Sequence, residues 1–229
     1  VEDLAHCSIV AGIDRDTEIR GNYPVFPQPG MCSVAGDVII DFSHPSITMP
    51  LLEHALKTKT PVVLATTGLS EQQIDQVQKA AKKIPIFFTA NMSLGVNLVA
   101  HLCKRAAAIL GGQFDVEIVE RHHNQKVDAP SGTALMLADA VAEALPYTPQ
   151  YVFDRQSVRK KRDKNEIGIH AVRGGTIVGD HEVIFAGRDE VITISHSASS
   201  KDIFAMGAIN AALFLKGKKP GLYSMDDLV

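Results

Sequence analysis

The sequence predicts an α/β protein in which a doubly wound parallel sheet is joined to a mixed α+β half. Three observations lead to this prediction. Continuous apolar runs alternate with helical patterns as far as residue 89, which is typical of parallel strands covered on both faces. Beyond residue 165 the pattern alternates like half-buried strands. A closing apolar segment, 203–215, has helical spacing and is followed by Lys216 and Gly217, a typical helix end.

Composition and charge are those of an ordinary globular chain. The 229 residues carry 23 Lys and Arg against 26 Asp and Glu, and 45% are hydrophobic. The net charge of -3 does not suggest nucleic acid as a partner, because nucleic-acid binders usually carry a basic excess. The 3 cysteines are widely spaced and favour a reducing, cytosolic setting over a disulfide framework. We expect no membrane span, since no run of about 18 apolar residues is present, and no signal peptide.

Four apolar runs in the first half predict the strands of the parallel sheet. These runs are 8–13, 38–42, 61–65 and 84–89. Helices are predicted between them at 46–57 and 70–82, and Ser70 with Gln73 fits a capping box. Parallel sheets bind ligands beyond the carboxyl ends of their strands, so the residues at those ends are candidate ligand contacts.

Small, hydroxylated or acidic residues stand at all four predicted strand ends. They are Asp14-Arg15, Asp41-Phe42-Ser43, Thr66-Thr67-Gly68 and Ala90-Asn91-Met92. Residues of this kind let backbone N–H groups approach a phosphate or a ribose. Each end taken alone is better explained by an ordinary turn, but four in register favour a nucleotide crevice.

The second half combines helices, strands and one polar segment. The predicted elements are a helix at 94–110, a strand at 115–120, a helix at 131–145, and half-buried antiparallel strands at 168–172, 176–187 and 191–197. The segment 147–165 is polar and irregular. Its basic run, Arg159-Lys160-Lys161-Arg162, is interpreted as a solvated loop, with an anion or partner site as the alternative.

The segment from Glu120 to Ala134, ERHHNQKVDAPSGTA, concentrates the chemistry. It places two imidazoles and the Lys126 ammonium close to a Ser-Gly-Thr turn that opens a helix. Free backbone N–H groups and the macrodipole at a helix N-terminus favour an anion. An anion flanked by titratable donors suits the binding of a carboxylate and the protonation of an adjacent atom.

Three plainer interpretations of this segment stay open. The His-His pair can be structural, since adjacent residues on a strand face opposite ways. His122, His123 and Asp128 can be metal ligands, but no familiar zinc spacing is present, and we expect no metal. Ser131 and Thr133 can be helix caps, which does not exclude anion binding.

The same segment resembles the signature of the 4-hydroxy-tetrahydrodipicolinate reductase (dihydrodipicolinate reductase) family. Further stretches recur in the family's order, among them IDFS at 40–43, ATTG at 65–68, ANMSLGVN at 90–97 and RGGTIVG at 173–179. The resemblance implies a Rossmann-like domain and reduction of 4-hydroxy-tetrahydrodipicolinate by NADH or NADPH, with loss of water, in lysine and diaminopimelate biosynthesis. It also implies a cytoplasmic enzyme, or one of the plastid stroma in a plant.

The resemblance further implies roles for individual residues around the substrate. His122 would be the proton donor and acceptor, and Lys126 a proton donor. The expected carboxylate-binding residues are His123, Ser131, Gly132 and Thr133.

A second set of residues is expected at the cofactor. Asp14 would hold the adenosine ribose, and Arg15 beside it could take a 2′-phosphate. Ala65 departs from a glycine and Met92 from an aromatic residue in many relatives, which would reshape the cofactor contact without removing it. Besides Asp14 and Arg15, the cofactor-binding candidates are Ala65, Thr66, Thr67, Thr89, Ala90, Asn91 and Met92.

Two domains are expected from the same resemblance. Residues 1–92 and 202–229 would form a discontinuous dinucleotide-binding domain. Residues 93–201 would form a substrate-binding domain whose sheet also builds a homotetramer, and closure of the domains would exclude water. Two rivals remain: another two-domain dehydrogenase, which would need other proton donors, and a nucleotide or metabolite sensor, which would lack turnover.

One feature departs from the family pattern at the front of the sequence. The family has a strand and a Gly-x-x-Gly-x-x-Gly loop upstream of the run at 8–13, and neither occurs here. We expect that roughly 20 to 30 residues, enough for one strand, loop and helix, are missing there. Since that loop cradles the pyrophosphate, a truncated chain should bind nicotinamide cofactors weakly or not at all. Titration with NADH tests this expectation, and micromolar affinity would contradict it.

Overall fold

The computed structural model describes residues 4, 7–18, 21–89 and 91–228. The chain divides into two units, Val1–Met92 with Phe204–Val229 and Ser93–Ile203, which we call the first and the second unit. The described residues contain eleven strands: β1 (Gly12–Ile13), β2 (Val25–Phe26), β3 (Ile39–Asp41), β4 (Val62–Leu64), β5 (Pro85–Phe88), β6 (Asp115–His122), β7 (Gln150–Val152), β8 (Glu166–Arg173), β9 (Gly179–Ala186), β10 (Val191–Ala198) and β11 (Gly221–Tyr223). Their five α-helices are α1 (Pro45–Thr58), α2 (Glu71–Ala81), α3 (Leu94–Leu110), α4 (Gly132–Ala142) and α5 (Asp202–Leu215).

The main sheet of the first unit is parallel, in the order β11-β5-β4-β3. Its strand residues are buried alternately on two sides. Leu64 and Ile86 pack in one core with α1 and α2, whereas Val63 and Phe87 pack in another with α5. Helices therefore cover both faces, which is why these strands are apolar throughout. The predicted doubly wound class is confirmed.

The strand predicted at 8–13 is wrong in its extent and burial. Only Gly12–Ile13 is a strand, and it pairs in parallel with β2 in a separate two-stranded sheet. Ile9 is 38% exposed and Val10 is 46% exposed. An apolar run becomes a buried strand only where neighbouring strands and helices cover it. The two-residue pairing with β2 leaves most of the run at 8–13 uncovered.

The predicted capping box at the start of α2 is confirmed. The Ser70 hydroxyl accepts a hydrogen bond from the Gln73 N–H at 3.3 Å, and Gln73 Oε1 accepts one from the Ser70 N–H at 3.0 Å. Both orphan N–H groups are thereby satisfied, which stabilises a helix start by about 1 kcal/mol.

The second unit contains a five-stranded sheet in the order β10-β9-β6-β8-β7. Strand β6 lies between an antiparallel neighbour, β9, and a parallel one, β8. Val116 and Ile118 point to the face covered by α3 and α4, where they pack with Cys103 and Leu137. The direction predicted for 168–172 is wrong, because β8 runs parallel to both β6 and β7.

The basic run in the polar segment is only partly solvated. Arg159 and Lys161 are exposed, as interpreted from the sequence. Arg162 instead donates to Asp115 at 2.7 Å and to Glu117 at 2.9 Å, and its guanidinium also donates to three backbone carbonyls. Lys160 pairs with Asp163 at 2.6 Å. Arg162 therefore attaches this segment to the start of β6.

Among the described residues, one helical stretch, Leu94–Gln113, is long and apolar enough to cross a membrane by length and composition. It contains Lys104 and Arg105, and on its inner side Cys103 and Ala107 are fully buried in the core of the second unit. Burial raises the pKa of the Cys103 thiol to about 12, so this thiol stays neutral. Core helices of soluble proteins pass the same length and composition test.

Candidate functional site

The end of β6 brings an imidazole and a carboxylate together. Glu120 and His122 are two residues apart, so both side chains point to the helix-covered face of the sheet. Glu120 is 0% exposed and His122 is 9% exposed. His122 Nδ1 lies 2.7 Å from Glu120 Oε2.

Glu120 also contacts two elements other than its own strand. Arg173, at the end of β8, donates from Nη1 to Oε2 at 2.8 Å and from Nη2 to Oε1 at 2.7 Å. The Ser131 N–H donates to Oε1 at 3.0 Å. Burial by itself would raise the pKa of Glu120, but the hydrogen bonds from Arg173, His122 and Ser131 outweigh it and lower that pKa. The carboxylate is therefore ionised.

Ser131 caps α4, as one of the plainer interpretations proposed. Its hydroxyl accepts a hydrogen bond from the Ala134 N–H at 3.1 Å, while its own N–H is used by Glu120. Gly132 follows and is exposed, and a Cβ built on it would meet no described atom within 4 Å. Thr133 is half-buried. Open space thus adjoins the N-terminus of α4.

The loop between β6 and α4 holds the remaining predicted residues of the motif. Lys126 Nζ lies 2.8 Å from Asp128 Oδ1, and this contact lowers the pKa of Asp128. The backbone of the loop is held by Arg173, whose Nη2 donates to the Asp128 carbonyl at 2.6 Å. His123 is half-buried, and its carbonyl accepts from the Lys126 N–H at 3.2 Å. A ligand contacting the Lys126 ammonium would compete with Asp128.

Gly179, at the start of β9, lies against the His122 ring. A Cβ built at this glycine would be 3.0 Å from His122 Nε2, closer than side chains normally approach. The absence of a side chain at position 179 therefore leaves the volume that the imidazole occupies.

His181 is a residue of this cluster that the sequence analysis missed. It is 4% exposed, its Nε2 lies 2.9 Å from the Ser131 hydroxyl, and its ring is 5.2 Å from that of His122 in an edge-to-face arrangement. Desolvation and the neighbouring His122 and His196 lower the pKa of His181 to about 4, with Glu120 and Asp180 acting in the opposite direction. The alternation of β9 could have placed it on the buried face, but a lone buried histidine is usually structural.

Candidate cofactor residues of the first unit lie where parallel strands end. Thr66 is buried, and its hydroxyl donates to Asp41 Oδ2 at 2.9 Å and to the Ser43 carbonyl at 3.1 Å, which ties the ends of β3 and β4 together. Thr67 and Gly68 follow and are exposed, and Gly68 has a φ of 76°. Backbone groups at this turn are therefore open to a ligand.

The other candidates of the first unit differ in how far they are available. The Thr89 hydroxyl contacts the backbone of Asn91, and Ala65 is half-buried. Met92 is 3% exposed and packs in the core with α5, so only its backbone could reach a cofactor.

The remaining cofactor predictions fall near β1 or outside the described part of the chain. Asp14 and Arg15 are exposed after β1, where Asp14 Oδ1 accepts from the Asp16 N–H at 3.0 Å. Ala90 lies outside the described residues. Within the described residues, no group of three His, Cys, Asp or Glu side chains could hold a metal ion.

Comparison with known proteins accounts for nearly the whole chain. A family model described as "Dihydrodipicolinate reductase, N-terminus" matches residues 1–92, and one described as "Dihydrodipicolinate reductase, C-terminus" matches residues 95–229. The chain belongs to the dihydrodipicolinate reductase family. The family resemblance predicted from the sequence is confirmed.

Individual members of the dihydrodipicolinate reductase family resemble the chain over most of their length. The 4-hydroxy-tetrahydrodipicolinate reductase of Caldanaerobacter subterraneus subsp. tengcongensis is 56% identical over 221 residues, which cover 96% of this chain and 87% of the relative. That of Clostridium novyi is 47% identical over 229 residues, covering 100% and 90%. The solved structure of a dipicolinate-bound dihydrodipicolinate reductase from Paenisporosarcina sp. TG-14 has a TM-score of 0.80 at 25% identity, covering 100% of this chain and 92% of that one.

The burial of His181 predicts how the stability of this reductase depends on pH. In the unfolded chain a histidine has a pKa near 6.5, whereas the pKa of folded His181 is about 4, so the folded state binds fewer protons between these values. Stability should therefore be fully present above about pH 6.5 and be lost as the pH falls toward 4, by about 3 kcal/mol in all.

Denaturant unfolding at about pH 7 and about pH 4.5 measures this loss. His181→Gln should unfold with a smaller pH dependence than the wild type, whereas His101→Gln, a change on the exposed side of α3, should leave that dependence intact. Equal pH dependences in the wild type and His181→Gln would contradict the prediction.

Proposed function

We propose that this chain reduces 4-hydroxy-tetrahydrodipicolinate to tetrahydrodipicolinate, with NADH or NADPH as hydride donor and with loss of water, in lysine and diaminopimelate biosynthesis. One observation carries the proposal: a titratable imidazole and an open helix N-terminus share a single buried carboxylate in the second unit. Family relatives bear the name of this activity.

The N-terminus of α4 is the proposed site for a substrate carboxylate. The N–H groups at Gly132 and Thr133 lie at the positive end of the helix macrodipole, and Gly132 borders open space. His123 precedes them in the loop and would add a donor. The proposed role of Ser131 is indirect, because its N–H and hydroxyl already bind Glu120 and Ala134.

His122 and Lys126 are the proposed proton donors. His122 has one ring nitrogen on Glu120, which leaves the other to give a proton to the substrate. Lys126 would exchange its contact with Asp128 for one with the substrate. Having two donors suits a reaction that both protonates a ring atom and releases water.

The first unit offers groups that fit a nicotinamide cofactor. The carboxyl ends of β3, β4 and β5 meet at one edge of the parallel sheet, where Thr67 and Gly68 are exposed and Thr89 follows β5. NADH or NADPH supplies a hydride when bound. Asp14 and Arg15 would hold the adenosine ribose and a 2′-phosphate. The other proposed contacts are Ala65, Thr66, Ala90, Asn91 and the backbone of Met92.

The second unit also supports a proposal about assembly. The face of its sheet away from α3 and α4 carries half-buried Val119 and Ile184 beside Val191, which is 63% exposed. These apolar side chains lie among charged ones of the same face, including Arg121 and Glu182, and a mixed surface of this kind suits a contact between copies. A cytoplasmic homotetramer is the proposed form. Light scattering of protein purified from the soluble cell fraction should give four times the chain mass. A wild-type protein with the mass of a single chain, and the same mass in Ile184→Glu, would contradict the proposed tetramer.

Replacing Lys126 tests the proposed activity directly. Lys126→Ala should lower kcat between about 10²- and 10⁴-fold, because a positioned proton donor is lost. The measurement is the decrease in NADH absorbance at saturating substrate. Lys164→Ala, which removes an exposed lysine of the polar segment, is the matched control and should keep wild-type rates.

Two results would count against the proposal. A wild-type protein that binds dipicolinate and NADH but never oxidises NADH would be a sensor. A wild-type protein that turns over other substrates with undiminished rates in Lys126→Ala would be a different dehydrogenase.

A further inference from the structure

We propose that Glu120 is a positioning residue. It holds His122 in the tautomer whose Nε2 exchanges the proton, and it fixes the N-terminus of α4 with the same carboxylate. This inference rests on the proposed function and deepens it, because it names the group that sets the geometry between the proton donor and the carboxylate-binding turn.

The tautomer of His122 follows from the charge of its partner. An ionised carboxylate only accepts hydrogen bonds, so His122 Nδ1, 2.7 Å from Glu120 Oε2, carries a hydrogen. The nitrogen that gains and loses the proton is then Nε2. This atom lies beside Gly179, and a Cβ built on that glycine would be 3.0 Å from it.

The second oxygen of the same carboxylate fixes the helix. Glu120 Oε1 accepts from the Ser131 N–H at 3.0 Å, directly before the Gly132 and Thr133 N–H groups. Arg173 contacts both oxygens of Glu120 and also the Asp128 carbonyl. The Glu120–Arg173 ion pair thus holds the loop between β6 and α4 at both ends. A carboxylate bound at the N-terminus of α4 would therefore lie at a fixed distance from His122.

Arg173 also prevents the positioning group from trapping the proton. A lone buried carboxylate would attract the charge of a protonated imidazole and hold it there. The bidentate guanidinium cancels most of that charge while the hydrogen bond to Nδ1 remains. A second titratable group facing the ring is His181, which is neutral at pH 7 because its pKa is about 4.

The pH profile of Glu120→Gln tests the inference. Glutamine presents either an amide N–H₂ or a neutral oxygen to Nδ1, so kcat should fall between about 10²- and 10⁴-fold, as expected for a wrongly held imidazole. The basic limb of the kcat/KM profile should move to lower pH, since the protonated ring then faces the Arg173 guanidinium without the carboxylate that neutralised it. Glu120→Asp, which keeps the charge, should leave that limb in place and lose less activity.

A second measurement needs no turnover. Nitrogen NMR of the His122 ring should show hydrogen on Nδ1 in the free wild-type protein and in Glu120→Asp, and a loss of that preference in Glu120→Gln. Hydrogen on Nε2 in the wild type, or an unchanged tautomer and pH limb in Glu120→Gln, would overturn the inference.

The two proposals can fail separately. If the wild type shows the Nδ1 tautomer but oxidises no NADH with the substrate, the proposed function fails and the positioning claim stands. If Glu120→Gln does not fold, the wild-type spectrum and the pH profile of Glu120→Asp decide.

Discussion

The candidate site of the second unit depends on the burial of one carboxylate. Removing a carboxylate from water costs several kcal/mol unless its partners replace the lost hydration. Glu120 is 0% exposed, and its oxygens accept from an imidazole, a guanidinium and a backbone N–H. These donors come from β6, β8 and the start of α4, so the same requirement that keeps the carboxylate buried also joins three elements. The chemistry of the site is therefore a part of the core and not an addition to it.

Local patterns were sufficient for much of the fold. The bounds of α3, 94–110, agree with the prediction, and β3, β4 and β5 lie within their predicted runs. Helix periodicity and capping chemistry are properties of neighbouring residues, so a sequence reveals them. Strand partners are not local. The burial of 8–13, the direction of β8, and the three-residue strands β7 and β11 all depend on which distant segment pairs with them, and these were wrong or missed.

The same distinction separates the parts of the site. The predicted residues from His122 to Thr133 lie in one segment, and a motif can reveal them together. Arg173 and His181 are 53 and 50 residues from their partners Glu120 and Ser131, and they meet these only through strand register. An alternating pattern says which face a residue takes, but not which residue of the next strand lies opposite. The family resemblance supplied the activity, and the structure supplied these supporting groups.

The contact between Gly179 and His122 limits how this sheet can evolve. A side chain at position 179 would bring its Cβ to 3.0 Å from the imidazole, so the cost of a mutation there depends on how far a residue distant in the chain can yield. Descendants that abandoned proton transfer and shortened residue 122 would release the glycine as well. The two positions therefore compete for one volume, and what a side chain at position 179 costs depends on what stands at position 122.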